Sequence, residues 1–266
     1  MHFDDPAAAV AASVQRLGAV AGRQLAAMAR RGFLLERSDN DAAASGRCRL
    51  GGPALLEPGT DWPQADRFPL SLLAVLDTTA LADALGASLP SAAPGLLNFF
   101  YADPDVPVET LLRLDLLRPE AAQVVPADPA LAVEASAPAP ARVYPSIPVH
   151  ARAVAMLPDS WDVEDTDIAF DKNEHWGAPS LVLDAMTGYD GNTADLHSAF
   201  GWPDTSYGNT VTVRDADGPA VHLLQLARDA HLGWGWGDAA TLNFTIPARA
   251  FAASDFSAAQ LTIQSC

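Results

Sequence analysis

Residues 70–76 read LSLLAVL, residues 221–226 read VHLLQL, and a Leu-Asn-Phe triplet follows each run, at 97–99 and at 242–244. Apolar runs this short, lying between turn residues, are typical of buried strands rather than helices. The Leu-Leu pairs are 151 residues apart, from 72 to 223, and the triplets are 145 apart, from 97 to 242. The shared order and near-constant offset predict two β-rich units related by internal duplication.

Further elements surround these two runs. We expect additional strands at 96–101, 149–157, 180–183 and 242–246, and a short helix at 77–85. Residues 126–148 contain six prolines, which predict an extended connector with little regular structure. The predicted organisation is therefore an N-terminal helix at 1–36, a first repeat at 37–125, the connector at 126–148, and a second repeat at 149–266.

The N-terminal segment has the pattern of one amphipathic helix. Asp5 is a suitable N-cap, and Pro6 occupies the first helical position, where its missing N–H costs nothing. Gly32 is a suitable stop. Apolar residues recur at steps of three and four between these ends, at Val10, Val14, Leu17, Ala21, Leu25 and Met28.

The charge balance excludes several classes of partner. Sixteen basic residues stand against 33 acidic ones, a net charge of −17. A protein that binds nucleic acid or an anionic membrane needs clustered basic residues, so both partners are disfavoured. The acidity is compatible with a basic protein partner, or it only maintains solubility. Asp4 and Asp5 do not suit a signal peptide, and no apolar run is long enough for a membrane span, so we expect a cytoplasmic protein.

The segment Gly233–Asp238, which reads GWGWGD, is the strongest local candidate for a binding site. Glycine lets the backbone approach a ligand closely, and Trp234 and Trp236 offer flat apolar faces. The alternative is a hairpin whose tryptophans close the end of the core. Trp202 and Asp204 extend the candidate surface if the two halves face each other.

Two polar residues on the second apolar run complete the candidate site. Gln225 lies inside that run, and a buried amide must find hydrogen-bond partners or a pocket. His222 and His231 flank it and could converge with Asp229 or Asp238, although structural roles are commoner for lone histidines.

No metal, cofactor or catalytic residue is predicted. Cys48 and Cys266 form neither a zinc pattern nor a disulfide framework, and the six histidines lack metal-binding spacing. The acidic run at 159–171 fails the calcium-loop template, because its sixth and twelfth positions, counted from Asp162, hold Asp167 and Asn173. The common catalytic motifs are also missing, which favours a protein without catalytic activity and leaves open a catalytic triad assembled from distant residues.

The same motifs resemble the YwqG-like family, a group of bacterial proteins of unknown function. In the first half the resemblance rests on GGPALL at 51–56, DWP at 61–63, PLSLLA at 69–74, LP at 89–90 and GLLNFF at 95–100. In the second half it rests on FGWPD at 200–204, LLQL at 223–226, WGDA at 236–239, LNF at 242–244 and the closing segment 255–264. The resemblance implies an α+β fold built on antiparallel sheets, and it implies no established activity.

Two positions depart from the family pattern. The family usually has Gln in the first core strand, where this chain has Val75, and an acidic pair after the second, where only Asp229 is retained. If those polar positions form a site, the copy in the first half is degraded.

Two functional hypotheses follow. The first is an acidic binding protein without catalytic activity, and since some YwqG-like proteins resemble neighbours of bacterial toxin systems, its partner would be a basic toxin. The alternative is an enzyme or small-ligand-binding protein with a pocket between the halves, lined by Trp236, Asp238, Gln225 and His222. A flat acidic face favours the first hypothesis, and a deep pocket with convergent polar groups favours the second.

Overall fold

Antiparallel strands are the main regular secondary structure of the described residues. The computed structural model describes residues 2–85, 95–102, 121–158, 196–203, 214–215, 218–236 and 240–264. Within them the strands are β1 His2–Phe3, β2 Arg30–Arg37, β3 Arg49–Leu50, β4 Ala54–Leu56, β5 Gln64–Ala65, β6 Phe68–Pro69, β7 Ser71–Asp77, β8 Leu96–Tyr101, β9 Ala122–Ala127, β10 Val133–Ala135, β11 Ile147–Met156, β12 Ser198–Phe200, β13 Arg214–Asp215, β14 Gly218–Leu226, β15 Thr241–Pro247 and β16 Gln260–Gln264.

One large sheet forms a nearly closed barrel. Its described strands follow the order β16-β15-β14-β12-β2-β11-β3-β7-β8-β9, with β1 beside β11 and β13 beside β14. The end strands β9 and β16 approach each other, which brings the barrel close to closure. The pairs β10-β4 and β5-β6 form two small additional sheets. Among the described residues, no helix has the length and apolar character needed to cross a membrane.

The two hairpins that contain the Leu-Asn-Phe triplets have the same strand pairing. Val75 of β7 pairs with Asn98 of β8, and Gln225 of β14 pairs with Asn243 of β15. The strand register shifts once in each hairpin, just before these paired residues. The shift lies between residues 72 and 74 in the first hairpin and between residues 222 and 224 in the second. Since both residues pair with the Asn of the Leu-Asn-Phe triplet, Gln225 corresponds to Val75 in the structure. The offset between them is 150 residues (225 − 75), one fewer than the 151 that separates the two Leu-Leu pairs in the sequence.

The N-terminal segment differs from the single predicted helix. Asp5 caps α1 (Pro6–Leu17) by accepting a hydrogen bond from the Ala8 N–H at 2.8 Å, as its sequence position predicts. Gly18 then adopts φ +78° and separates α1 from α2 (Ala19–Ala27), which packs back against it. The face that α1 buries also differs from the predicted apolar stripe, since Val10 is 41% exposed whereas Ala9 is buried.

The predicted stop at Gly32 is wrong, because Gly32 lies inside strand β2. A Cβ atom there would lie 2.8 Å from Met156 Sδ and 3.0 Å from the Phe200 carbonyl oxygen. Glycine is therefore required by the close approach of β11 and the end of β12, rather than by a helix terminus.

The other predicted elements mostly agree with the structure. Strands β7, β8, β11, β14 and β15 cover the expected runs within a few residues, and helix α3 (Thr78–Leu85) begins where the sequence indicates. The connector is less irregular than expected, since β9 ends inside it and β10 lies within it. The strand predicted at 180–183 and the acidic run at 159–171 lie outside the described residues.

The core fills the barrel and is built by the residues that the sequence indicates. The runs predicted as buried strands supply six core residues, and all of them are buried: Leu73, Leu97, Phe99, Leu224, Leu242 and Phe244. The rings of Phe99 and Phe244 meet edge to face with their centroids 5.2 Å apart, so the two hairpins share one hydrophobic centre. The chain closes with helix α4 (Ala248–Ala252), a short 3₁₀ helix at Phe256–Ala258 and strand β16.

Candidate ligand-binding site

A pocket of about 680 Å³ opens at one edge of the large sheet. Its described lining consists of Leu35, Glu36, Arg37, Leu196, His197, Arg228, Asp229, Ala230 and Trp234. The order β14-β12-β2 explains this convergence. Since β12 is antiparallel to both neighbours, its start lies at the same edge as the ends of β14 and β2.

Asp229 is the central charged residue of the pocket, and its side chain is only 1% exposed. Its Oδ1 accepts hydrogen bonds from the backbone N–H groups of His231 at 2.8 Å and Leu232 at 3.3 Å. Its Oδ2 accepts from Arg37 Nη2 at 2.6 Å and faces His197 Nε2 at 3.2 Å. These contacts occupy the roughly four lone-pair positions of a carboxylate.

The environment stabilises the charged form of Asp229. Burial alone would raise the pKa of the carboxyl group, but the hydrogen bonds from His197, Arg37 and the His231 backbone outweigh it and hold that pKa well below its usual range. Asp229 is therefore an anion at neutral pH, and its charge is neutralised by the neighbouring guanidinium group of Arg37.

His197 is held in one orientation by both ring nitrogens. Nδ1 accepts a hydrogen bond from the Ala227 N–H at 3.2 Å, so the ring proton of the neutral form resides on Nε2, which faces Asp229. The ring also meets Trp234 edge to face, with centroids 5.7 Å apart. Neither nitrogen retains a free position for accepting a proton from a substrate.

Arg37 ends strand β2 and carries the accessible part of the charged cluster. Its side chain is 40% exposed, whereas those of Asp229 and His197 are 1% and 7% exposed. Nη2 is fixed against Asp229, and the remaining guanidinium nitrogens have no hydrogen-bond partner within the described residues. Arg37 thus combines a fixed orientation with unused donors.

The Trp-containing loop closes the core rather than presenting an exposed platform. The backbones of Asp229 and Trp234 exchange two hydrogen bonds, of 3.1 and 2.8 Å, which close the intervening turn. Trp234 and Trp236 are 4% and 9% exposed and pack in the main core. Trp236 Nε1 donates to the Ala227 carbonyl at 3.1 Å, and Trp234 Nε1 has no partner among the described residues.

His222 and Gln225 are buried on β14 and do not line the pocket. His222 Nδ1 lies 3.1 Å from the Phe200 carbonyl oxygen. Burial lowers the pKa of His222 to about 4, against the opposing influence of that carbonyl and the Asn243 side chain. Gln225 Nε2 donates weakly to the Leu196 carbonyl at 3.4 Å, so its amide supports the segment that enters the pocket.

Trp202 packs away from the pocket. Its indole N–H donates to the Met28 carbonyl at 2.8 Å, and the Arg30 guanidinium lies 3.6 Å from its ring centroid. Trp202 belongs to a smaller cluster that does not include Trp234 or Trp236. Asp204 and Asp238 lie outside the described residues. Of the seven predicted residues, only Trp234 is found in the described lining of the pocket.

The site offers little for metal binding or nucleophilic attack. In the described part of the chain, no group of three or more His, Cys, Asp or Glu side chains is arranged to hold a metal ion. The described lining residues include no Ser, Thr or Cys. Cys48 lies elsewhere, and burial raises the pKa of its thiol to about 12, which suppresses the reactive thiolate.

Comparison with known protein families assigns the chain to one of them. Residues 48–266 match the domain of unknown function DUF1963, and this chain belongs to that family. The match covers both hairpins and most of the pocket, and the description it carries includes no activity. No curated protein matches the chain.

Arg37 and His197 are the site residues that sequence reasoning missed. Arg37 lies 192 residues from Asp229, and no local motif marks Arg37. Asp229 had one signal, as the retained member of the acidic pair that the resemblance associates with this position.

Proposed function

We propose that this chain is a non-catalytic binding protein that takes a small ligand in the pocket beside Asp229. The observation that carries the proposal is a cavity of about 680 Å³ lined by convergent polar and apolar side chains. Cavities of this size and mixed lining are typical of small-molecule sites. This pocket is not the one expected from the sequence. Its described lining includes Arg37 and Asp229 instead of the expected Gln225 and His222.

The saturated contacts of His197 and Asp229 favour binding over catalysis. A His–Asp pair serves acid–base catalysis when one ring nitrogen faces the substrate. Here Nδ1 is used by the Ala227 N–H and Nε2 by Asp229. The pair instead stabilises the turn and orients Arg37, a supporting role for a binding site.

Ligand-observed NMR with a defined fragment library tests this proposal. The library contains aromatic and aliphatic carboxylates, amides and amines, and binding is compared between wild type and Ala230→Phe. Ala230 is exposed and lines the pocket, so the larger ring fills part of it. Ala252→Phe, at an exposed position of α4, adds the same ring outside the described lining and is the control.

We expect a subset of fragments to bind wild type and Ala252→Phe, and to lose most of their binding to Ala230→Phe. Fragments that bind all three proteins equally would show that the pocket is not the site. A library without any binder at millimolar concentration would refute the small-ligand proposal.

A second proposed function, contact with a basic protein, is supported by the net charge of −17. Such a charge accelerates association with a cationic partner and makes it sensitive to salt. The YwqG-like resemblance suggests a basic bacterial toxin as the partner, and the charge of the N-terminal residues suggests that the two would meet in the cytoplasm. Co-expression with a candidate toxin checks this function: rescue of growth supports it, and growth inhibition unchanged by the protein contradicts it.

We further propose that the two halves descend from one duplicated unit. The shared hairpin pairing supports this relation, as does a matching hydrogen bond in each half. The Asp77 N–H donates to Cys48 Sγ at 3.2 Å, and the Ala227 N–H donates to His197 Nδ1 at the same distance. Each acceptor, Cys48 or His197, immediately precedes a strand, β3 or β12. Each donor lies at the end of the neighbouring strand, since Asp77 is the last residue of β7 and Ala227 directly follows β14.

A further inference from the structure

The spare hydrogen-bonding capacity of the buried cluster around Asp229 belongs to donors. Asp229 already accepts from four groups, and both nitrogens of His197 are engaged. Glu36 carries the other carboxylate of the described lining, and its Oε1 accepts from Arg152 Nε at 2.7 Å. A cationic ligand would therefore have to compete with interactions that the protein already makes.

Arg37 supplies the unused donors. Only Nη2 has a partner within the described residues, so Nε and Nη1 remain available on a side chain that is 40% exposed. Asp229 fixes the guanidinium plane before a ligand arrives, which reduces the entropy cost of binding. Nε and Nη1 lie on different sides of the guanidinium group, so a bidentate contact with the two oxygens of a carboxylate or phosphate would pair one of them with the second hydrogen of Nη2.

The remaining lining is apolar enough to hold a non-polar group. Leu35 lies on β2, Leu196 precedes the neighbouring strand β12, and Trp234, at the end of the turn, completes the apolar part of the lining. A ligand that fits both parts therefore has an anionic head and an apolar or aromatic body.

We propose that the pocket binds monoanionic organic carboxylates with an apolar or aromatic substituent, an inference that rests on the proposed small-ligand function. The net charge of −17 decides between carboxylate and phosphate. Repulsion from the protein as a whole grows with the charge of the ligand, so a monoanion is favoured over a dianion.

Four matched probes test the charge requirement: phenylacetate, phenylacetamide, phenethylammonium and phenyl phosphate. They share an aromatic ring and differ in the head group. Affinities are measured by NMR titration of wild type, Arg37→Lys and Arg23→Lys. Lysine at position 37 keeps a positive charge near Asp229 and loses the planar edge, and Arg23 is an exposed residue of α2 outside the described lining.

We expect phenylacetate to bind wild type and Arg23→Lys most tightly, and to bind Arg37→Lys about tenfold more weakly, the usual effect of losing a charge-assisted hydrogen bond. Phenylacetamide should not distinguish the three proteins. Thermal unfolding of each variant verifies that it is folded.

The outcomes distinguish failure of the carboxylate inference from failure of the small-ligand function on which it rests. Equal or tighter binding of phenylacetamide or phenethylammonium would overturn the carboxylate inference while leaving a small-ligand pocket. Tighter binding of phenyl phosphate would replace carboxylate with phosphate as the ligand class. Retained phenylacetate affinity in a folded Arg37→Lys variant would overturn the role of Arg37. Absence of binding by all four probes up to about 10 mM would count against the pocket as a ligand site.

Discussion

Replacing Asp229 should separate its role in the turn from its role as a charge. In Asp229→Ala, two backbone N–H groups, Arg37 and His197 all lose their acceptor. Because Arg37 is 40% exposed, water can replace its lost partner, and most of the cost comes from the buried donors that are left without an acceptor. We expect a loss of about 3–5 kcal/mol in total. Asp229→Asn retains one oxygen for the turn but directs an NH₂ group at the donors of Arg37 and His197, which we expect to cost about 2–4 kcal/mol.

The pH dependence of that cost follows from the lowered pKa of Asp229. In the unfolded chain an aspartate has a pKa of about 3.9. Since the pKa is lower in the folded protein, the carboxylate stabilises the fold above about pH 4, and this stabilisation is lost as the pH falls toward the folded value. The difference in unfolding free energy between wild type and Asp229→Asn should therefore be constant from pH 7 to 5 and should shrink below pH 4.

Urea unfolding measures both effects. Tryptophan fluorescence and far-UV circular dichroism should report coincident transitions before free energies are compared. A loss below about 1 kcal/mol for Asp229→Ala at pH 7 would mean that the cluster contributes little to the fold. A difference between wild type and Asp229→Asn that is independent of pH would refute the assignment of a stabilising negative charge.

Five further substitutions test the packing. Phe99→Ala or Phe244→Ala should cost about 3–5 kcal/mol in urea unfolding, and a loss below about 1 kcal/mol would contradict their burial. Trp236→Phe should cost about 1 kcal/mol more than Trp234→Phe, since only Trp236 loses an indole hydrogen bond; equal losses would contradict the difference. Gly32→Ala should cost about 1–3 kcal/mol through overpacking, and an unchanged melting temperature would show that the neighbours can move.

The hairpins were predictable because their information is local. Alternating turn signals and apolar runs identify β7, β8, β14 and β15, and the interior residues follow from the same runs. Proline was a weaker guide in the connector. Pro126 pairs with Leu97 within β9, which is the last strand of the sheet order, and a terminal strand tolerates a residue without an N–H donor.

The N-terminal segment and the pocket depended on contacts that the sequence does not mark. Gly32 resembles a helix stop until Met156 is known to lie against it. Arg37 and Asp229 meet because β2 and β14 lie on either side of β12, and that order joins segments nearly two hundred residues apart. Periodicity identifies elements, but it does not establish which ends of distant strands share an edge.

Two aspartates, Asp77 at the end of β7 and Asp229 shortly after β14, make similar hydrogen bonds to the backbone, and the described pocket lies beside the second. Asp77 ends β7, and its carboxylate accepts from the N–H groups of Ala80 and Arg47 at 3.1 Å, at the start of α3. Asp229 follows β14 and likewise accepts from the backbone two and three residues later, but its other oxygen receives Arg37 and His197. A helix continues from the first strand, whereas a closed turn follows the second and leaves space beside the sheet edge. The turn from Asp229 to Trp234 leaves space for the pocket, and Asp229 Oδ2 orients Arg37 within it. A ligand can meet an oriented guanidinium group only where the turn and this hydrogen bond occur together.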